Sequence, residues 1–367
     1  MSAKLLSTNA AKRAAIVAVS LALLLSLTGQ ASALPKLKKA ANTPVTGKFS
    51  VSGTRILNPE GKNFTPRGVN KGGLEWTKKG YDEGLWNYQR MKSWGANVVR
   101  VPLSPAYALP GMCTYDKNYM ARVDKIVGWA EQLKMLVILD DHVSTKGLSC
   151  GTGHWAGPQK APDIHSVDFV KLLAKRYKSH GYVALDLYNE PHDIPDGVWR
   201  NGGVVDGWRA VGMQQLLDAV RSTGNTNLVF ATGNLWGNDL RMIVNNPLQN
   251  DKNVVYAAHT YPFYCNRVIY YEEAYNCQGK QYPPFLDTQI APAIGRRAVM
   301  ITEFGTQRSI PGEMQAPIDW AEAHHIGWAA WLWSSGKMTD FCLLDANGNP
   351  SISGKPVKDA LARATGK

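Results

Sequence analysis

Two glutamates, Glu190 and Glu303, close the short apolar runs Val183–Tyr188 and Ala298–Thr302. Two carboxylates sharing a cleft can hydrolyse a glycosidic bond. One protonates the leaving oxygen while the other attacks the anomeric carbon or activates water. Asp186 and Asp82 are the competing acids, but Asp186 falls inside its strand and Asp82 is placed at the opening of a helix. Arg100 near Glu303 would hold that carboxylate ionised by Coulomb attraction. A less charged pocket around Glu190 would raise its pKa, as a proton donor requires.

These residues need a scaffold that brings strand ends together. Short apolar runs at Thr65–Asn70, Asn97–Val101, Leu136–Asp140, Val183–Tyr188, Leu228–Thr232, Val254–His259, Ala298–Thr302 and Gly327–Leu332 read as strands. Amphipathic stretches between them, Leu85–Trp94, Met120–Lys134, Val167–Lys178, Arg209–Thr223, Ala316–His324 and Lys355–Ala364, read as helices. Near-continuous apolar strands such as Leu136-Val137-Ile138-Leu139 suit a parallel sheet buried on both faces. Eight β/α units predict an α/β fold, a closed (β/α)8 TIM barrel rather than an open doubly wound sheet, with a hairpin over Phe49–Thr65 in front. In such a barrel the site lies at the carboxyl ends of the strands. Reading those ends gives Asn70, Arg100, His142, Asn189 with Glu190, Trp236, His259 with Tyr261, Glu303 and Trp331.

Sugar rings stack on indole, so the twelve tryptophans matter. Trp76, Trp155, Trp199 and Trp236 fall in or near loops at the active face, and Trp236 and Trp155 are the expected substrate contacts. Trp86, Trp94, Trp129 and Trp208, placed on helices, are expected in the core. Glu75 follows the first strand closely and is read either as a sugar ligand or as a solvated loop charge.

The segment Leu187-Tyr188-Asn189-Glu190-Pro191-His192 resembles the N-E-P motif that ends strand four in glycoside hydrolase family five, the cellulase-like family. Thr302-Glu303-Phe304-Gly305 is similar to the family's strand-seven motif. Arg67-Gly68-Val69-Asn70, Asn97-Val98-Val99-Arg100, the Asp-Asp-His ending at His142 and His259-Thr260-Tyr261 follow its other strand ends in the same order. The resemblance implies a retaining double displacement with Glu190 as acid/base and Glu303 as nucleophile. It also implies that Asn189 bonds the sugar 2-hydroxyl, that Tyr261 orients Glu303 and Arg100 supports it, and that His142 and His259 contact the sugar. Its strand-eight tryptophan is assigned to Trp331, in preference to Trp333, which strand period places on the same face. An endo-β-1,4-glucanase acting on cellulose or a related β-glucan is the implied activity. β-Mannanase or another β-glycanase is the alternative on the same core residues, and no cofactor or metal is expected.

Lys4, Lys12 and Arg13, an apolar stretch over Ala14–Thr28 and Ala31-Ser32-Ala33 form a secretory leader, residues 1–33. A basic, aperiodic tail or linker follows over 34–47, and the barrel is expected over 48–367 with no second module after it. The expected product is secreted, extracellular or periplasmic, monomeric and free of the membrane. Losing the three leader cations takes the formal net charge from +12 to +9. The basic residues are scattered and no finger, basic-helix or RNA-motif spacing occurs, so a nucleic-acid partner is not expected. Nucleotide-loop motifs do not follow any of the strands. Asp140, Asp141, His142, His154 and His165 raise metal-dependent hydrolysis, yet no H-x-H or H-E-x-x-H spacing supports it. A non-catalytic sugar-binding barrel is disfavoured because both glutamates are kept. Of the five cysteines, Cys113 with Cys150 and Cys265 with Cys277 are the expected disulfides, leaving Cys342.

Overall fold

The computed structural model describes residues 47–143, 159–250, 252–261, 284–306, 311–335 and 341–366. The leader, most of the basic tail, and Trp155, Cys150, Cys265 and Cys277 lie outside the described residues.

Eight parallel strands close a barrel. In chain order they are β3 (Arg67–Asn70), β4 (Val98–Leu103), β5 (Leu136–Asp141), β6 (Val183–Asp186), β9 (Val229–Thr232), β10 (Val254–Thr260), β11 (Val299–Phe304) and β12 (Gly327–Ala330). Each pairs with its neighbours in sequence, and β12 returns to β3 to close the ring. The expected barrel is therefore present.

The apolar runs explain why both faces are buried. Along β5, Val137 and Leu139 pack outward into the cluster shared with the helices. Leu136 and Ile138 point into a second cluster inside the barrel, with Val98, Ala184, Phe230, Val255, Ala257, Met300 and Ala329. Further up each strand the inward positions turn polar: Arg100, Asp140, Asp186 and His259 are all fully buried. This change of character along the strands makes one end of the barrel a packed floor and the other a site.

The helices lie outside the ring. The first, α1 (Leu85–Trp94), buries Asn87, Tyr88, Met91 and Trp94 and ends at Gly95, whose left-handed φ of 109° suits glycine. A longer helix over Ile164–Tyr177 begins where the Asp163 carboxylate accepts the His165 N–H at 2.8 Å. At the foot of the barrel, the Arg67 guanidinium donates to Glu322 at 2.5 and 2.6 Å, tying the first barrel strand to the helix over Pro311–Ala323.

Three local expectations are refined. The front hairpin pairs β1 (Ser50–Ser52) with β2 (Arg55–Leu57) across a turn at Gly53, and a second turn over Asn58–Gly61 brings Asn63 back against Leu57. Ile56 and Phe49 there plug the floor of the barrel. Trp208–Ala210 does not begin a helix. It forms β8, paired with β7 (Gly203–Val205), and the helix starts at Met213. Asp82 stands two residues before the Gly84 cap of α1 rather than opening the helix.

Candidate active site

Arg100 organises the polar end of the barrel. It is fully buried, in register with Asn70 on β3. Its Nε donates to Asp186 at 3.0 Å and its Nη1 to Glu303 at 3.0 Å and Asn70 at 3.1 Å. Its Nη2 donates to Asn189 at 2.8 Å and pairs with Asp140 at 3.0 Å. Burial opposes the charge, but Asp140, Asp186 and Glu303 outweigh it and hold the guanidinium protonated, above its ordinary range. The fork geometry of arginine lets one side chain serve five partners at once.

Glu303 receives two fixed donors. Arg100 binds one oxygen and the Tyr261 hydroxyl donates to the other. Strict alternation along β11 would turn Glu303 outward with Val299 and Ile301. The register instead slips by a residue: Ala258 faces Ile301, and His259 faces Glu303. The bulge at Thr302 re-aims Glu303 into the barrel. No sequence period carries that signal.

Glu190 follows Asn189, whose backbone N–H donates to the Asp141 carbonyl at 3.0 Å. Its carboxylate lies 2.9 Å from His259 Nδ1. Burial pushes the Glu190 carboxyl up to about 7, against the pull of His142 and Arg100. It thus keeps its proton up to about pH 7 and loses it above. Burial also lowers His259 to about 3 and His142 to about 4, so both rings are neutral at working pH. One oxygen each from Glu190 and Glu303 and one His259 nitrogen lie within 4.8 Å of one another.

The ring that bounds this centre is aromatic. His142 bonds Asp140 at 2.7 Å and stacks on Trp331, with planes 3° apart and centroids 5.3 Å apart. Trp76 meets the edge of His142. Trp236 is half-buried and stacks on His192. It and Leu235 both hold left-handed backbone, φ 59° and 53°. Strained residues of this kind persist where surrounding contacts over-determine them. Here the Trp236 N–H donates to the Pro191 carbonyl at 2.9 Å, and the His259 N–H donates to the Gly237 carbonyl at 3.0 Å.

The family model described as Cellulase (glycosyl hydrolase family 5) matches residues 57–337. The chain belongs to this family. An endoglucanase of Paenibacillus polymyxa is 28% identical over 59% of this chain and 61% of its own length. An endoglucanase of Clostridium saccharobutylicum is 24% identical over 80% of this chain and 58% of its own length. The chain thus spans about three fifths of the curated relatives it matches. A β-glucanase of Saccharophagus degradans, solved in complex with cellotetraose, superimposes with TM-score 0.62. It is 19% identical and matched over 88% of this chain and 94% of that one. This likeness shows the shared fold.

For a family 5 chain, most of the sequence-derived site residues converge. Arg100, His142, Asn189, Glu190, His259, Tyr261, Glu303 and Trp331 surround one centre, and Trp155 lies outside the described residues. Three readings are corrected. Glu75 is not a solvated surface charge. It is fully buried under its own loop, its Oε2 accepts the Gly73 N–H at 2.5 Å, and burial pushes its carboxyl up to about 8. Trp333 does not share a face with Trp331, because the strand ends at Ala330 and its period ends there too. Trp333 packs on Trp94 and donates its indole N–H to Asn87, leaving Trp331 beside His142. Trp199 is a core residue, 2% exposed, bonded to the Thr232 carbonyl.

Asp186 and Asp140 were missed as site components. Both are in register across β5 and β6 and both clamp Arg100. Their inward strand positions beside a buried arginine were the available signal.

Proposed function

We propose that the chain is a retaining endo-β-1,4-glucanase acting on cellulose or a related β-glucan. The carrying observation is the spacing of the two carboxylates, with facing oxygens no more than 4.8 Å apart. Retaining glycosidases hold their carboxyl groups about 5–5.5 Å apart, whereas inverting ones leave about 6.5–9.5 Å for a water. The β-glucan reading is supported by relatives that are themselves named endoglucanases.

Glu303, fixed by Arg100 and Tyr261, attacks the anomeric carbon while Glu190 gives its proton to the departing glycosidic oxygen. The carbon–oxygen bond to the leaving sugar breaks and a glycosyl ester on Glu303 forms. Glu190, now a carboxylate, takes a proton from water as the water oxygen attacks the same carbon. That step frees Glu303 and returns the proton to Glu190. Asn189, held by Arg100, faces the sugar 2-hydroxyl, and His142 and His259 contact the ring as neutral donors or acceptors. Trp331 and Trp236 supply stacking surfaces.

We assign residues 1–33 to a secretory leader, 34–47 to a linker and 48–367 to the barrel, with the product a secreted monomer. The disulfides Cys113–Cys150 and Cys265–Cys277 belong to that reading, while Cys342 is buried and free. None of the described helices is long and apolar enough to cross a membrane.

The test is reducing-sugar release from carboxymethyl-cellulose, lichenan, glucomannan and xylan across pH. The acid must carry its proton, so turnover of a β-glucan is expected to fall as pH rises through about 7, the value of Glu190. Activity confined to xylan or mannan would contradict the substrate, and a flat profile to pH 9 would contradict the role of Glu190.

A further inference from the structure

A cavity of about 620 Å³ opens between the start of α1 and the loop after β12, lined by Trp86, Arg90, Asp82, Asn347, Ser335 and Trp333 among others. No described interaction links these six side chains to Glu190 or Glu303. We propose that it is a second binding site for a stretch of the polysaccharide substrate, an inference that rests on the β-glucan reading above.

Trp86 is the first observation. It was expected in the core with the other helical tryptophans, yet it is 49% exposed. The reason is its position on α1, whose buried face carries Asn87, Tyr88, Met91 and Trp94 instead. Its indole is also seated rather than loose. It lies so close over Gly84 that a Cβ there would come within 2.8 Å of the pyrrole edge. A flat apolar face held on glycine and left open to solvent suits the C–H face of a pyranose ring.

The polar groups are the second. The side chains of Arg90, Asp82 and Asn347 make no hydrogen bond or ion pair with any described residue. Arg90 is nevertheless held in place: its guanidinium packs against Gly348, where φ is 79° and a Cβ would meet Nη1 at 2.7 Å. Solvent-facing donors and acceptors of both kinds around an aromatic plate are what a ring of equatorial hydroxyls requires. The volume falls within the roughly 300–1,000 Å³ usual for small-ligand pockets.

Charge separates this ligand class from an anion. Lys71 also lines the cavity, but its Nζ is committed to Glu83 at 2.8 Å and the Tyr81 carbonyl at 2.6 Å. Arg90 is then opposed by the free Asp82 carboxylate, so the cavity offers no surplus positive charge to a phosphate or carboxylate ligand. A neutral polyol fits better.

The position ties the cavity to the cleft. Lys71 directly follows Asn70, a partner of Arg100, and Trp333 stands two residues beyond Trp331. A long chain held here is delivered to the same end of the barrel as the catalytic pair.

The experiment compares the full-length protein with Trp86→Ala and Arg90→Ala on two substrates, an aryl cellobioside and a long soluble β-glucan. Loss of one stacked ring is expected to raise KM for the long glucan roughly tenfold in Trp86→Ala, with kcat unchanged. Both variants should match the wild type on the aryl cellobioside. Unchanged KM for the long glucan in both variants would overturn the second site and leave the catalytic reading intact. Equal losses on both substrates would assign these residues to folding and likewise overturn it. A wild type inactive on every β-glucan would overturn both readings.

Discussion

Glu303→Gln is expected to lower turnover of any β-glucan by roughly ten-thousand-fold, about 5–6 kcal/mol of barrier, with the fold intact. The amide is nearly the same shape as the carboxylate but cannot form the glycosyl ester. Its carbonyl oxygen can still accept from Arg100 Nη1, the bond now made at 3.0 Å. Its NH2 then faces the Tyr261 hydroxyl, which can rotate from donating to accepting. Thermal unfolding followed by circular dichroism should therefore change little while activity vanishes. Turnover within tenfold of the wild type would remove Glu303 from the nucleophile role and leave the barrel untouched.

Arg100 gives the second large effect, on stability as well as rate. Arg100→Met would strand Asp140, Asp186 and Glu303 around an apolar side chain in a buried site. Breaking a buried ion pair from one side costs about 3–5 kcal/mol, and three carboxylates here share the one cation. Arg100→Lys separates charge from geometry. A lysine keeps the positive charge but has a single nitrogen, so it cannot reach Asp186, Glu303 and Asn189 together. It is expected to recover most of the stability and still lose at least about 100-fold in kcat, because Glu303 and Asn189 are no longer held. Chemical denaturation paired with kcat measurement reads both effects. Full activity in Arg100→Lys would show that charge alone matters at this position.

The division between legible and hidden features follows from physics. Asn189, Glu190 and His259 were readable because each closes an apolar run, and a barrel strand must end at the site, while Arg100 was readable as a lone charge inside one, Val98–Leu103. The buried strands were readable for the same reason, since a parallel sheet covered on both faces leaves a continuous apolar run. Features hidden from the sequence depend on single-residue departures from periodicity. The Thr302 bulge turns Glu303 inward, and the end of β12 at Ala330 sends Trp331 and Trp333 different ways. Glu75 was read as a sugar ligand or a solvated loop charge because nothing in its neighbours announces that it is fully buried. Trp86 looked like core because a helical position alone does not reveal which face the barrel takes.

The central claim is the double displacement at Glu190 and Glu303, and the stereochemistry of the first product tests it most directly. Proton NMR of a cello-oligosaccharide during the first minutes of hydrolysis should show the β-anomer accumulating, followed by slow mutarotation to the α-form. Initial release of the α-anomer would mean inversion, and would contradict a site whose two carboxylates face each other across no more than 4.8 Å.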